Sequence, residues 1–187
     1  MITDPWFYAA AVPAVLLFGI AKGGFGGGLG VVAVPLMALV VSPLQAAAVL
    51  LPILCLMDIV GLWAYRGRWL WPELRILVPA SMIGVAAGAL LFGFMSAATV
   101  RIIVGVVAIA FTLHYVYSTR RKPDSALPHF PPCVGIAAGA TGGFTSFIAH
   151  AGGPPISMYL LRRPLDRTDF VATTVLLFAA INYAKLL

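Results

Sequence analysis

Charge is what this sequence has least of. Of 187 residues, twelve are basic and six acidic, so charged residues make up 10% against 61% hydrophobic. A soluble domain carries about 25% charged residues because its surface faces water. So few charges exclude a water-soluble globular domain, and lipid must be the solvent for much of the exterior. The mean hydropathy of +1.01 agrees. Cysteine is scarce too. Cys55 and Cys133 stand in or at the mouth of apolar segments, with no CxxC pair and no histidine at ligand spacing. They read as small buried hydrophobes, and neither a disulfide nor a metal site is expected.

Catalytic signatures are lacking as well. The three histidines are far apart, the acidic residues are scattered, and neither GxSxG nor HExxH occurs. An enzyme in the membrane needs a nucleophile with its base or a metal cluster, and neither is present in the pattern. No GxxxxGK[ST] loop marks ATP as an energy source, and Gly28-Leu29-Gly30-Val31-Val32-Ala33 fits a GxGxxA nucleotide fingerprint only by accident. No strand precedes it and no acidic residue follows at the right distance. No cofactor is expected. Met1-Ile2-Thr3-Asp4 lacks the basic start of a signal peptide, so the first apolar segment is expected to stay as a membrane helix. The net charge of +6 with a pI near 9.8 raises nucleic acid as a partner. The basic residues instead cluster in short loops without aromatic interleaving, which fits loops facing an anionic membrane leaflet.

What is present is a series of apolar stretches at roughly 6–21, 29–41, 44–64, 75–94, 99–117, 133–149, 153–161 and 169–187. Segments 44–64, 75–94, 99–117 and 169–187 have the length that spans about 30 Å of hydrocarbon. The other four are shorter and paired. One pair flanks Lys22-Gly23-Gly24-Phe25-Gly26-Gly27-Gly28, the other His150-Ala151-Gly152-Gly153 followed by Pro154-Pro155. Glycine and proline interrupt helices, and such backbone persists at membrane depth only where protein or water satisfies it. Arg66, Arg68 and Arg75, then Arg120, Arg121 and Lys122, then Arg162, Arg163 and Arg167 mark three loops that the positive-inside rule places in the cytoplasm. The stretch 6–41 then begins and ends outside, and 131–161 begins and ends at the cytoplasmic side. Two paired elements of opposite orientation are the pattern of an inverted repeat.

The expected architecture is therefore an all-α integral membrane protein. It is a polytopic helical bundle forming one transmembrane domain over 1–187, with a first repeat at 6–122 and a second, incomplete repeat at 131–187. Sliding the sequence by 125 residues sets Gly27-Gly28 on Gly152-Gly153, Ala47 on Ala172 and Leu51 on Leu176, a modest agreement. The second unit stops at the counterpart of segment 44–64, so about two helices are expected to be missing from it.

At Gly26-Gly27-Gly28 with Pro35, and at Gly152-Gly153-Pro154-Pro155-Ile156 with Ala172-Thr173-Thr174, the chain resembles the TauE/SafE family of membrane transporters. The resemblance implies two repeats of transmembrane helices and movement of small sulfur-containing or organic anions across the cell membrane of a bacterium.

Several residues are candidates for that work. Lys22 would attract an anion if it lies deep, or would snorkel if it lies shallow. Gly26, Gly27 and Gly28, and Gly152 and Gly153 with Pro154, would let backbone amides approach a substrate. His150 would relay protons or bind an anion when charged, or act as a hydrogen-bonded structural histidine. Asp58, the one carboxylate inside a spanning segment, would be protonated, pair with a cation such as Lys22, serve ion coupling together with Asn182, or simply reach the interface on the cytoplasmic side. Thr141, Thr145 and Ser146 would line a polar cavity or bond back to their own helix. Gly84/Gly88 and Gly135/Gly139/Gly143 have the spacing of close helix packing. The expected function is secondary transport of small anions such as sulfite, thiosulfate or organosulfonates by alternating access. A non-transporting membrane subunit or assembly factor is the first alternative, and an intramembrane enzyme the second. The expected partners are the lipid bilayer and the anion, not nucleic acid, with homo-oligomerisation left open.

Overall fold

Proline sets many of the helix starts, at positions where its missing N–H costs nothing. The computed structural model describes residues 5–24, 32–120 and 130–186. Its helices are α1 (Pro5–Gly24), α2 (Ala33–Met37), α3 (Pro43–Ala64), α4 (Trp71–Phe92), α5 (Ala97–Arg120), α6 (Pro132–Ala149), α7 (Gly153–Leu160) and α8 (Arg167–Ala184). No strand occurs among the described residues. Ser42 opens α3 with a capping box: its hydroxyl accepts from the Gln45 N–H at 3.2 Å while the Gln45 side chain accepts from the Ser42 N–H at 3.3 Å. Asp166 opens α8 by accepting from the Asp169 N–H at 2.7 Å.

Helices α1, α3, α4 and α6 are long and apolar enough to cross a membrane. This differs from the expected set at α1, α6 and α8, while α5 covers the expected segment 99–117. Segment 6–21 is not short, because Gly23 and Gly24 remain helical and α1 reaches 20 residues. At 22 residues, α4 begins at Trp71, where Pro72 supplies the first-turn proline, rather than at Arg75. The 18-residue α8 stays below the apolarity of a lipid-facing span, and the reason is burial: Thr173 and Thr174 are fully buried and Asn182 nearly so. A helix enclosed by other helices can carry polar groups that a lipid-facing one cannot. Lipid-side faces are apolar instead, as with Trp6, Leu16 and Ile20 on α1 and Ile102, Val106, Ile109 and Leu113 on α5, all exposed.

Two apolar clusters make the core. The first joins α1, α2 and α3 through Phe7, Ala14, Phe18, Met37, Leu50 and Leu54, and receives Ile148, Ala149 and Ala151 from the α6–α7 turn. The second joins α4, α6, α7 and α8 through Leu77, Ile156, Tyr159, Leu177 and Ile181. Helices α4 and α6 lie backbone against backbone. A Cβ at Gly84 would meet the Ala140 carbonyl, one at Gly143 the Ser81 carbonyl, and one at Gly139 the Ala80 methyl at 2.8 Å. The glycine spacing read from the sequence is thus the packing seam it resembles.

The α6–α7 pair folds back on itself, with Tyr159 against Gly135 and Ile156 against Gly142. Both its ends therefore lie at one end of the bundle. Arg163 there pairs with Glu73 at 3.1 Å and its guanidinium lies over the Tyr159 ring, while Tyr159 donates to Glu73 at 2.8 Å. At the same end Arg68 pairs with Asp166 at 2.7 Å and Asp169 at 2.8 Å. Those carboxylates hold the exposed Arg68 guanidinium above its ordinary pKa, chiefly through the hydrogen bond to Asp169. The first and third basic clusters are thus brought to a common end. Arg121 and Lys122 of the second lie outside the described residues.

Candidate functional site

Three helices each carry one polar residue at the end of an apolar stripe. On α1 the buried stripe Phe7, Ala11, Ala14, Phe18 is continued four residues on by Lys22. On α3 the stripe Ala46, Leu50, Leu54 is continued by Asp58, and on α8 Asn182 follows Phe178. Helical periodicity therefore aims all three polar groups where the apolar faces converge. Lys22 is 6% exposed and Asp58 fully buried. The Lys22 ammonium meets Asp58 Oδ1 at 2.5 Å and donates to the Leu54 carbonyl at 3.3 Å. The other carboxylate oxygen accepts from Asn182 at 2.8 Å. Lys22 also stands in the last turn of α1, where free carbonyls favour a cation.

The α6–α7 turn supplies the second half of the site. Helix α6 closes with the His150 N–H on the Ser146 carbonyl at 3.0 Å and the Ala151 N–H on the Thr145 carbonyl at 3.3 Å, a nested pair of bonds that satisfies two of the carbonyls left free at the helix end. The turn takes His150 through φ 51 and ψ 27, a left-handed conformation that glycine adopts at far lower cost. A histidine retained there points to a use for its ring. The ring is buried, with Nε2 2.9 Å from the Ala47 carbonyl and Nδ1 3.0 Å from the Lys185 ammonium. An ammonium only donates, so Nδ1 accepts, and the ring proton sits on Nε2 facing Ala47. Lys185 donates as well to the Ser146 carbonyl and hydroxyl, each at 2.9 Å.

Lys22, Ser146, His150, Gly153, Phe178 and Asn182 line one cavity of about 20 Å³, room for about one water molecule. Residues far apart in sequence, from both glycine-rich regions, are thereby brought together. Asp58 stands behind the cavity wall through its bonds to Lys22 and Asn182. Lys22 also lines a larger crevice of about 450 Å³ between α1 and α3, bordered by Gly19, Ile53, Val60 and Tyr65. The Tyr65 hydroxyl closes one margin by donating to the Gly23 carbonyl at 2.6 Å.

The remaining candidates divide. Gly26, Gly27 and Gly28 lie outside the described residues. Gly152 is packed so tightly that a Cβ would meet the Gly142 carbonyl and, at 2.9 Å, the Ser146 Cβ. Pro154 is buried in the first turn of α7. Of the opening α7 nitrogens, those of Pro154 and Pro155 carry no hydrogen, so few amides remain there to hold an anion. Thr141 bonds back to the Ala137 carbonyl at 2.6 Å, and Thr145 to the Thr141 carbonyl at 2.8 Å and the Ala151 carbonyl at 3.1 Å. Sequence reasoning overlooked Lys185. The signal was available: a lone ammonium three residues after Asn182 in an otherwise apolar run is costly unless used.

The family model described as "Sulfite exporter TauE/SafE" matches residues 11–187, nearly the whole chain. No curated protein and no solved structure matches it.

Proposed function

The chain belongs to the sulfite exporter TauE/SafE family of membrane transporters, and from that premise we propose that it is a secondary transporter of small anions. Sulfur oxyanions and organosulfonates are the expected cargo, moved by alternating access across the cytoplasmic membrane of a bacterium, with the three basic clusters inside. The observation that carries the reading is the buried polar cluster: Lys22, Asn182 and His150 converge on one cavity, with Asp58 bonded to the first two behind its wall, although three helices and a turn deliver them. Ionisable groups at such depth are expensive, and a transport pathway is the use that fits them.

An inverted-repeat architecture accompanies this reading. A long helix followed by a short one packed on it occurs twice, as α1–α2 and α6–α7, and the basic loops give the two pairs opposite orientation. One core cluster belongs mainly to each half, and the cavity lies between them. Rocking of the halves about the close α4–α6 contact would open the cavity to one side and then the other. It must open, because a space for one water is too small for a sulfur oxyanion.

The test is flux of radiolabelled sulfite, thiosulfate and a small sulfonate into sealed proteoliposomes holding the purified chain. Saturable uptake that Lys22→Ala diminishes is expected. Uptake no greater than in protein-free liposomes, under imposed anion and proton gradients of either direction, would overturn the proposal.

A further inference from the structure

Resting on the transport reading above, we propose that Lys185, rather than Lys22, carries the charge that binds the substrate anion, and that the site selects an anion bearing a single negative charge. The two lysines differ in their partners. Lys22 is matched by the Asp58 carboxylate at 2.5 Å. Among the described residues Lys185 meets only neutral acceptors: the Ser146 carbonyl, the Ser146 hydroxyl and His150 Nδ1. Ser146 and His150 are themselves buried and line the cavity, so the ammonium they hold stands directly behind the cavity wall, although Lys185 is not itself a lining residue and its side chain as a whole is half-buried.

Counting the cluster gives its sign. With both lysines protonated, Lys22 and Lys185 contribute two positive charges and Asp58 one negative. His150 accepts at Nδ1 and donates at Nε2, which is the neutral imidazole. The nearby Cys55 thiol and Tyr183 hydroxyl add no charge at neutral pH. Among the described residues one positive charge then remains without a counter-ion, and it is on Lys185. An uncompensated buried charge is unfavourable in the empty protein and favourable once an anion neutralises it. The proline-bearing α6–α7 turn reinforces the assignment. With two of the first α7 nitrogens lacking hydrogens, the helix start cannot supply the field of amides that would otherwise take the anion. A dianion would reverse the balance and leave one negative charge buried, unless His150 gained a proton on Nδ1. That position is the one Lys185 occupies.

The division of labour follows. Lys22, Asp58 and Asn182 form a closed, neutral unit that joins α1, α3 and α8, and the Lys185–His150–Ser146 group takes the substrate. The experiment uses the full chain in proteoliposomes at one fixed, mildly acidic pH, where sulfite is mainly the singly charged hydrogensulfite, with radiolabelled sulfite as tracer and two competitors, methanesulfonate with one charge and sulfate with two. Methanesulfonate should inhibit at a concentration at least about tenfold lower than sulfate. Lys185→Gln, which retains a hydrogen-bonding side chain but no charge, should raise the half-saturating tracer concentration by about tenfold to a hundredfold, and Lys185→Arg should remain within about threefold of the wild type. Wild-type vesicles that take up no sulfite would overturn the transport reading and this assignment with it. Uptake that Lys185→Gln leaves unchanged, or that sulfate inhibits as well as methanesulfonate does, would overturn only the assignment. Should both Lys185 variants be lost to misfolding, the competition in the wild type alone decides the charge selectivity.

Discussion

Removing one member of the Lys22–Asp58 pair should be far more damaging than removing both. At 2.5 Å and an effective dielectric near 20, the direct attraction is about 7 kcal/mol before desolvation is subtracted. Desolvation of two ions, at several kcal/mol each, offsets most or all of that. The pair is thus close to neutral for stability, while either ion left alone retains its full desolvation cost. Lys22→Met should strand a fully buried carboxylate, and Asp58→Asn should strand an ammonium whose one remaining acceptor is the Leu54 carbonyl. Each single change should cost about 3–5 kcal/mol. The double variant should cost no more than either single one, which makes the coupling energy about 3 kcal/mol or larger. Asp58→Asn keeps the shape of the side chain and an amide oxygen that can accept from Asn182, while its NH2 turns toward Lys22, so the single change removes both the charge and the acceptor that the ammonium needs. The assay is reversible unfolding in mixed detergent micelles, titrated with dodecyl sulfate and followed by helical circular dichroism. Penalties that add in the double variant to within about 0.5 kcal/mol would refute the reasoning, since independent sites add and a buried ion pair cannot.

Other consequences are open to measurement. Gly84→Ala and Gly143→Ala each press a methyl onto a carbonyl of the facing helix and should lower stability by about 1–3 kcal/mol or more. Gly105→Ala, with open space around it, should be neutral or raise stability by up to about 1 kcal/mol; thermal unfolding in detergent separates the cases, and equal losses at all three would contradict the seam. Glu73→Ala removes the acceptor shared by Arg163 and Tyr159 and should cost about 1.5–3 kcal/mol in the same assay, whereas a loss below about 0.5 kcal/mol would mean that solvent already screens the pair. In a Cys133→Ser background, Arg66→Cys should react with an impermeant maleimide from the cytoplasmic side and Phe94→Cys from the opposite side, both positions being exposed. Labelling of both from one side would invalidate the orientation drawn from the basic loops.

Composition and periodicity made the membrane class legible, and the glycine spacing foretold the α4–α6 seam. The pairing of Asp58 with Lys22 was also within reach, because a lone carboxylate in an apolar helix needs a cation and few were available. Three things were not. The helix end at Gly24 escaped because glycine's propensity penalty is small beside the packing of a helix already begun. Burial of α8 was hidden because its polar content reads as weak hydrophobicity, when enclosure by neighbouring helices is what permits it. Lys185 was missed because a basic residue just past a helix resembles an interfacial anchor, and only the three-dimensional return of the α6–α7 turn puts Ser146 and His150 beside it.

The contact of α4 with α6 has a mechanical consequence. Where main chain touches main chain across Gly84, Gly139 and Gly143, no compliant side chains remain to absorb a slide or a twist, so the two helices behave as a single stiff strut. Any cycle of opening must hinge around that strut and be taken up by the looser crevice between α1 and α3. Spin labels fixed on the strut therefore provide a stationary origin from which displacement of every other helix can be read.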